Sequence, residues 1–292
     1  MTKPAIKQES FEIAEFGWNF IKNLRSGRYT TASLINELVD NSDDAGAKKV
    51  WIDFVTKKGE SNKILEIVVA DNGHGMDFDT LKGSFKIGYD RANRTSKQNG
   101  KFGMGGTVGC LSVCKNKLVI TRHKTGTWAR YYDLDDVKQR NVWGSNHIEV
   151  NKEMVETLNS YLGKDNTGTV IILRDLDRIT NSNRSQTQLK RDLGLTYCEK
   201  LETGLEIFIN SKKIAPNDPL HWDNPNTIKL HDQKITGTNI RIRVVSVENL
   251  PVGVESKVGR MTRSGGYIFR NDRLIEKSIF KSDRWPSLWD KS

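Results

Sequence analysis

Glu37 and Asn41 stand four residues apart in "LINELVDNSDDAGAKKV", residues 34–50. On a helix that spacing puts them on one face, with Asp44 a turn further along. A carboxylate can orient and deprotonate a water. An asparagine carbonyl is a hard, neutral oxygen that suits magnesium, which keeps several waters of its own. A base beside a metal ligand on a rigid helix is equipment for phosphoanhydride hydrolysis. With Asp40 and Asp43 added, the stretch equally fits a solvated acidic face, and these residues alone leave both readings open.

Three further stretches bear on the choice. "VVADNGHGM" ends a strand-like run with Asp71 at the mouth of a Gly73-x-Gly75 turn. A fixed carboxylate there could accept from the exocyclic amine of adenine, with glycines letting the backbone come close; many β-turns share this pattern. In "NGKFGMGG", Gly100, Gly103, Gly105 and Gly106 free a run of backbone amides to point at phosphates where a helix begins, and Lys101 adds a charge. No GK[ST] closes it, so it is not a Walker A loop, and a merely flexible loop has the same composition. In "NTGTVIILRDL", Gly168 and Thr169 open a strand, and the threonine hydroxyl could join hydrogen bonds around a base.

The elements that must position these residues follow from periodicity and breakers. Residues 10–25 read as a helix, with Phe11, Ala14, Ile21 and Leu24 near one face. "SGRYTTA" is a loop offering Thr30, Thr31 and Ser33 as N-caps to the acidic helix, which Gly46 ends. "KKVWIDFV" and "ILEIVVA" are strands joined through "KKGESNK", and a short helix starts at Phe78. "TVGCLSVCKN" is a helix; "KLVITRHK", "TWARYYDLD", "NHIEVNK" and "GTVIILRDL" are strands; "SQTQLKRDLGLTYCEKLE" is a helix. From about residue 204, "GLEIFINSKKI", "NIRIRVVSVE" and "GGYIFRNDRLI" read as strands of a second unit. The expected class is α+β: helices on one face of a mixed sheet over 1–203, then a smaller β-rich unit over 204–292.

Composition narrows the class further. The 292 residues are 36% hydrophobic and 28% charged, which fits a globular rather than a disordered chain. No apolar run approaches the ~20 residues of a membrane span, and the first residues lack a signal-peptide core, so no membrane partner is expected. Cys110, Cys114 and Cys198 are odd in number and lack CxxC spacing. They read as reduced thiols, with a cytoplasmic location expected, nuclear in a eukaryote. A formal charge of +10 makes DNA a plausible partner, and simple solubility would account for it too.

Taken in order, an ExxxN helix, a strand-DxGxG, a glycine-rich segment before a helix and a GT-strand closely resemble the GHKL ATPases with their Bergerat fold. The resemblance covers about residues 30–176. "ELVDNSDDAGA" looks most like the MutL and MORC forms of the first motif. It implies Glu37 as general base, Asn41 as magnesium ligand, and Asp71 as the adenine-binding aspartate with Gly73, Gly75 and Met76 beside it. It further implies Gly100, Lys101, Phe102, Gly103, Met104, Gly105 and Gly106 in a phosphate-binding lid, and Thr169 in adenine recognition. ATP and Mg2+ are the implied cofactors, with lid closure over residues ~85–106 coupling ATP to homodimerisation. Glu37 argues for hydrolysis over phosphotransfer, because histidine kinases lack a hydrolytic glutamate there. "GGYIFRNDRLIEK" and "IFINSKKIAPNDPL" resemble parts of the S5-like transducer domain of MORC-type ATPases. The lysine that reaches the γ-phosphate in such relatives has no clear counterpart, since Lys277 and Lys281 fall in the wrong part of the pattern. The transducer is therefore expected to be incomplete and the chain an N-terminal fragment, or the lysine to come from elsewhere.

Other residues have plainer readings. His74 is a solvent-facing turn residue. Arg91, Arg94 and Lys97 belong to a basic segment that could meet phosphate or a second subunit. Lys257, Arg260, Arg263, Arg270, Arg273, Lys277, Lys281 and Arg284 could track a DNA backbone or form one wet face of a sheet. Trp18, Trp51 and Trp128 pack in cores. Two rival functions remain beside the ATPase: a nucleotide-gated clamp or scaffold that engages a partner protein with little turnover, and a chaperone-like ATPase.

Overall fold

The computed structural model describes residues 17–26, 29–57, 60–88, 105–177, 183–238, 240–247 and 266–277. The acidic stretch is helix α2, Thr31–Asp44. Thr30 caps it: its backbone is extended and its hydroxyl oxygen accepts from the Ser33 amide at 3.1 Å. The helix stops at Ala45, and Gly46 turns away with φ +73°, a left-handed conformation that glycine adopts without Cβ strain. Leu34, Ile35, Leu38 and Val39 are buried. Before it lies α1, Trp18–Arg25; the residues of the expected helix before 17 lie outside the described ones.

Strand β1, Lys49–Lys57, alternates, turning Val50, Ile52 and Phe54 into the core. It pairs antiparallel with β2, Glu60–Asp71, which starts earlier than its apolar run suggests. Next in chain order come helices α3, Phe78–Gly83, and α4, Gly105–Val113, then strands β3, Cys114–His123, and β4, Gly126–Asp133. Helix α5, Leu134–Arg140, precedes strand β5, Asn146–Ile148, and helix α6, Lys152–Leu162, precedes strand β6, Gly168–Leu176. Helices α7, Asn183–Thr196, and α8, Cys198–Glu202, lead to strands β7, Glu206–Ile209, and β8, Lys212–Lys213. The strands form one sheet in the order β5-β4-β3-β6-β2-β1-β7-β8, with β7 parallel to β1 and the other ladders antiparallel.

The period of two along β2 separates the two faces. Ile67 and Val69 enter the larger core, closed by α1, α2, α3, α4, α5 and α7. Val68 and Ala70 enter a smaller core with Ile120, Val170, Ile172 and Leu158 and Leu162 of α6. The architecture is the expected α+β one, a helical layer on a large mixed sheet, with α6 added on the second face. Trp18 and Trp128 pack at the margin of the larger core and Trp51 at that of the smaller. All three cysteines are free and buried. No helix among the described residues is long and apolar enough to cross a membrane.

Several local expectations are corrected. "NHIEVNK" is a strand only over Asn146–Ile148, because Asn151 caps α6, accepting from the Met154 amide at 2.9 Å. Helices α5 and α6 and strand β9, Thr227–Lys234, have no counterpart in the sequence reading. The single helix expected over 185–202 breaks at Tyr197 into α7 and α8. "GLEIFINSKKI" and "GGYIFRNDRLI" are each a hairpin, not one strand. Asn210-Ser211 and Asn271-Asp272 all have positive φ, as a two-residue hairpin turn requires. The second hairpin is β11, Tyr267–Arg270, with β12, Arg273–Lys277; "NIRIRVVSVE" forms β10, Arg241–Val247, paired with β9. Strands β7 and β8, read as opening the second unit, are the outer edge of the main sheet.

Candidate functional site

Asp71, Thr169 and Thr121 stand in register across β2, β6 and β3. They share parity with Val69, Ile171 and Val119, so all three side chains turn toward the helical layer. The result is a polar row across an otherwise apolar sheet, at the end of β2. The Thr121 hydroxyl lies 3.1 Å from the Gly168 carbonyl and 3.1 Å from the Thr169 hydroxyl, and accepts from the Met76 amide at 2.9 Å. Asp71 accepts from the Gly73 amide at 2.9 Å, and the Ser42 hydroxyl of α2 is 3.3 Å from its other oxygen. Burial pushes the Asp71 carboxyl up to about 6, although the bonds from Gly73 and Ser42 work in the opposite direction.

The turn after Asp71 is fixed by the protein's own backbone. The Thr167 hydroxyl donates to the Gly73 carbonyl at 2.8 Å, and a Cβ on Gly73 would lie 2.7 Å from the Ala45 carbonyl oxygen. Gly75 has φ +68°, and its Cβ would come within 2.1 Å of the Arg122 carbonyl oxygen. Gly168 has φ +152°, and its Cβ would come within 2.1 Å of the Asp71 carbonyl oxygen. His74 is exposed, as expected, with its Nδ1 2.6 Å from the Gly75 carbonyl.

The acid on α2 divides into two groups. Asp40 is buried and takes the Arg273 Nε–H of β12 at 2.7 Å and the Tyr197 hydroxyl at 2.9 Å; Asp43 pairs with Lys200 at 2.8 Å. Neither the solvated-face reading nor one that assigns the whole cluster to a metal and a water survives this: Asp40 and Asp43 carry ion pairs. Glu37 is half-buried. Burial and then the nearby Asp40 raise its carboxyl above the usual range, while Arg273 acts the other way. Burial and Glu37 raise the phenol of Tyr29. Asn41 is exposed, and a Cβ on Gly106 would lie 3.0 Å from its Nδ2, so the first turn of α4 lies against Asn41. At the other end of α4, Arg25 donates to the Leu111 and Cys114 carbonyls at 2.6 and 2.9 Å and pairs with Asp177. That buried arginine holds the C-terminal end of a glycine-rich helix whose first turn lies beside Asn41.

Of the residues singled out in the sequence, Asp71, Gly73, Gly75, Met76, Thr169, Asn41 and Gly106 gather at one end of the sheet, with Glu37 one turn back along α2. Gly105 and Gly106 begin α4. Gly100, Lys101, Phe102, Gly103 and Met104, with Arg91, Arg94 and Lys97, lie outside the described residues, as do Lys257, Arg260, Arg263, Lys281 and Arg284. Arg273 does not serve the basic face expected of it, since Asp40 takes its charge. Ser42, Thr121 and the Asp40–Arg273–Tyr197 group were missed: Ser42 sits inside the motif as an ordinary small residue, and only register and packing reveal the others. Among the described residues no group of three or more His, Cys, Asp or Glu could hold a metal. Asn41 fits magnesium of the kind that keeps waters and shares phosphate oxygens, which needs few protein ligands.

Residues 29–169 match the family model described as "Histidine kinase-, DNA gyrase B-, and HSP90-like ATPase". The sheet with its helical layer agrees with a GHKL ATPase fold, and the match supports ATP binding by this segment. Among solved structures, the chain is similar to the ATPase and transducer domains of DNA topoisomerase II from Balamuthia mandrillaris, with 14% identity and a TM-score of 0.45. The alignment covers 68% of this chain and 52% of that one, so this chain spans about half of its length. No curated protein matches the chain.

Proposed function

We propose that the chain is a magnesium-dependent ATP-binding module that hydrolyses ATP, with Glu37 as general base and Asn41 as the magnesium ligand. The observation that carries this reading is one juxtaposition: Asp71 in its polar row, Asn41, and the first turn of α4 meet at a single end of the sheet. An ionised Asp71 accepts from the adenine amine. Thr169 and Thr121 complete the hydrogen bonds on that side, with Gly73, Gly75 and Met76 forming the turn beside the base. Gly105, Gly106 and the α4 amides face the phosphates. Bound magnesium would supply charge neutralisation at the phosphates, with Asn41 contributing one oxygen. Glu37, on the same helix as Asn41, orients the attacking water. Gly100, Lys101, Phe102, Gly103 and Met104 keep the phosphate-binding role that the resemblance gives them, and a closer kinship to MORC or MutL proteins, ATP-dependent homodimerisation and DNA handling belong to the same proposal. A transducer-like second unit is also part of it, with its start moved from residue 204 to beyond β8, because β7 and β8 extend the main sheet.

The test is titration calorimetry with a non-hydrolysable ATP analogue, with and without magnesium, on wild type and Asp71→Asn. Magnesium-dependent binding that Asp71→Asn abolishes supports the reading; a folded wild type that binds nothing ends it.

A further inference from the structure

Arg273 ties the β11–β12 hairpin to the helix that carries Glu37 and Asn41, although 233 residues separate it from Asp40. Its side chain is 18% exposed and that of Asp40 7%, so the pair is largely withdrawn from water. The Asp40 oxygen that takes Arg273 also takes the Tyr197 hydroxyl, which lies 2.9 Å from the Asn36 carbonyl of α2 as well, and the guanidinium sits 5.9 Å above the Tyr197 ring. Packing seats the hairpin as well: β12 lies against α7 and α8, and Leu274 is 7% exposed.

Helix α2 is therefore gripped from two sides. Ser42 touches Asp71 on the sheet side, and Asp40 is held from the hairpin side. Glu37 lies one turn before Asp40, close enough that both Asp40 and Arg273 act on its carboxyl. Without Arg273, a buried carboxylate with no counter-ion would sit one turn from the proposed base, and breaking such a pair is strongly unfavourable. Elements that hold a helix from one side respond to whatever binds on the other, and that coupling is reciprocal.

We propose that Arg273 is a positioning residue for Glu37, and that through it the β11–β12 hairpin is coupled to occupancy of the nucleotide site. The turnover half rests on the reading of Glu37 as the base; the coupling half needs only nucleotide binding.

Two measurements on the full chain test this. The first compares wild type, Arg273→Met, Arg273→Lys and the double variant Asp40→Asn/Arg273→Met for MgATP turnover and for affinity toward a non-hydrolysable ATP analogue, at a temperature where thermal melts show every variant folded. Arg273→Met lowers kcat about tenfold or more, with affinity within about threefold; Arg273→Lys and the double variant each recover part of kcat. A purely structural role would move affinity and kcat together, and unchanged kcat in Arg273→Met overturns the proposal. The second is hydrogen exchange over residues 267–277, with and without the analogue. Binding protects the hairpin in wild type, and Asp40→Asn loses that protection while still binding. A hairpin whose exchange ignores bound analogue overturns the proposal even if turnover is absent. A wild type that binds, protects the hairpin and does not hydrolyse removes the base role of Glu37 and leaves the coupling standing.

Discussion

Ser42 of α2 and Asp71 of β2 meet at 3.3 Å, across the boundary between the helical layer and the sheet. This contact joins the acidic helix to the strand-end turn: Asn41 adjoins Ser42 in sequence, and Thr169 faces Asp71 in register. The buried position of Asp71 has a cost, and the first two predictions follow from it.

Asp71→Asn stabilises the chain without nucleotide at neutral pH. The folded carboxyl titrates at about 6 against an ordinary 3.8, so the folded state holds the proton more tightly than the unfolded state. The contribution of this group to stability is then greatest below the unfolded value, falls as pH rises toward 6, and is fully lost above it. Removing the charge returns about 3 kcal/mol at pH 7 and almost nothing at pH 3.5. Urea unfolding of both forms at the two pH values checks this, and equal stabilities at pH 7 would contradict it.

Nucleotide affinity falls on acidification through the same group. A protonated Asp71 would lose acceptor strength toward the adenine amine, so the analogue's association constant drops by about tenfold for each pH unit below 6. Calorimetry between pH 5 and 8 reads this directly; a flat profile would place the base elsewhere.

Glu37→Gln separates chemistry from binding. Its expected outcome is a loss of turnover by about a hundredfold or more with analogue affinity retained. Coupled-enzyme assays and calorimetry on the same preparation make the comparison. Retained turnover would move the base role to another residue.

Gly168→Ala and Gly46→Ala differ although both glycines have positive φ. A Cβ at Gly168 would meet the Asp71 carbonyl oxygen, whereas nothing lies within 4 Å of one at Gly46. Gly168→Ala therefore destabilises by at least about 3 kcal/mol, from strain plus the clash, and Gly46→Ala by about 1 kcal/mol. Denaturant midpoints rank the two.

Much of this protein was legible in its residues. The α2 pattern, its Thr30 cap and the stop at Gly46 are local effects, set by side chains within a few positions of one another. The strands of the main sheet announce themselves through β-branched alternation, Glu37, Asn41 and Asp71 stand out as candidates by type and spacing, and Thr169 becomes one through the resemblance. Helices α5 and α6 carry local signals of their own, Asp133 and Asn151 as N-caps and, in α6, Met154, Leu158 and Leu162 at helical spacing, but the strand readings of "TWARYYDLD" and "NHIEVNK" run into both. Both missed hairpins hinge on pairs such as Asn271-Asp272, whose turn competes with a strand reading of the same run.

What only the tertiary structure decided is where the charge on α2 goes. Sequence places the carboxylates Glu37, Asp40 and Asp43, with the neutral Asn41 among them, within seven residues and does not tell the three acids apart. Packing then separates them, because Asp40 and Asp43 meet Arg273 and Lys200 from segments far along the chain, whereas Asn41 meets the first turn of α4. Spacing along a helix fixes which side chains share a face; which partner that face meets depends on long-range contacts that no local pattern encodes.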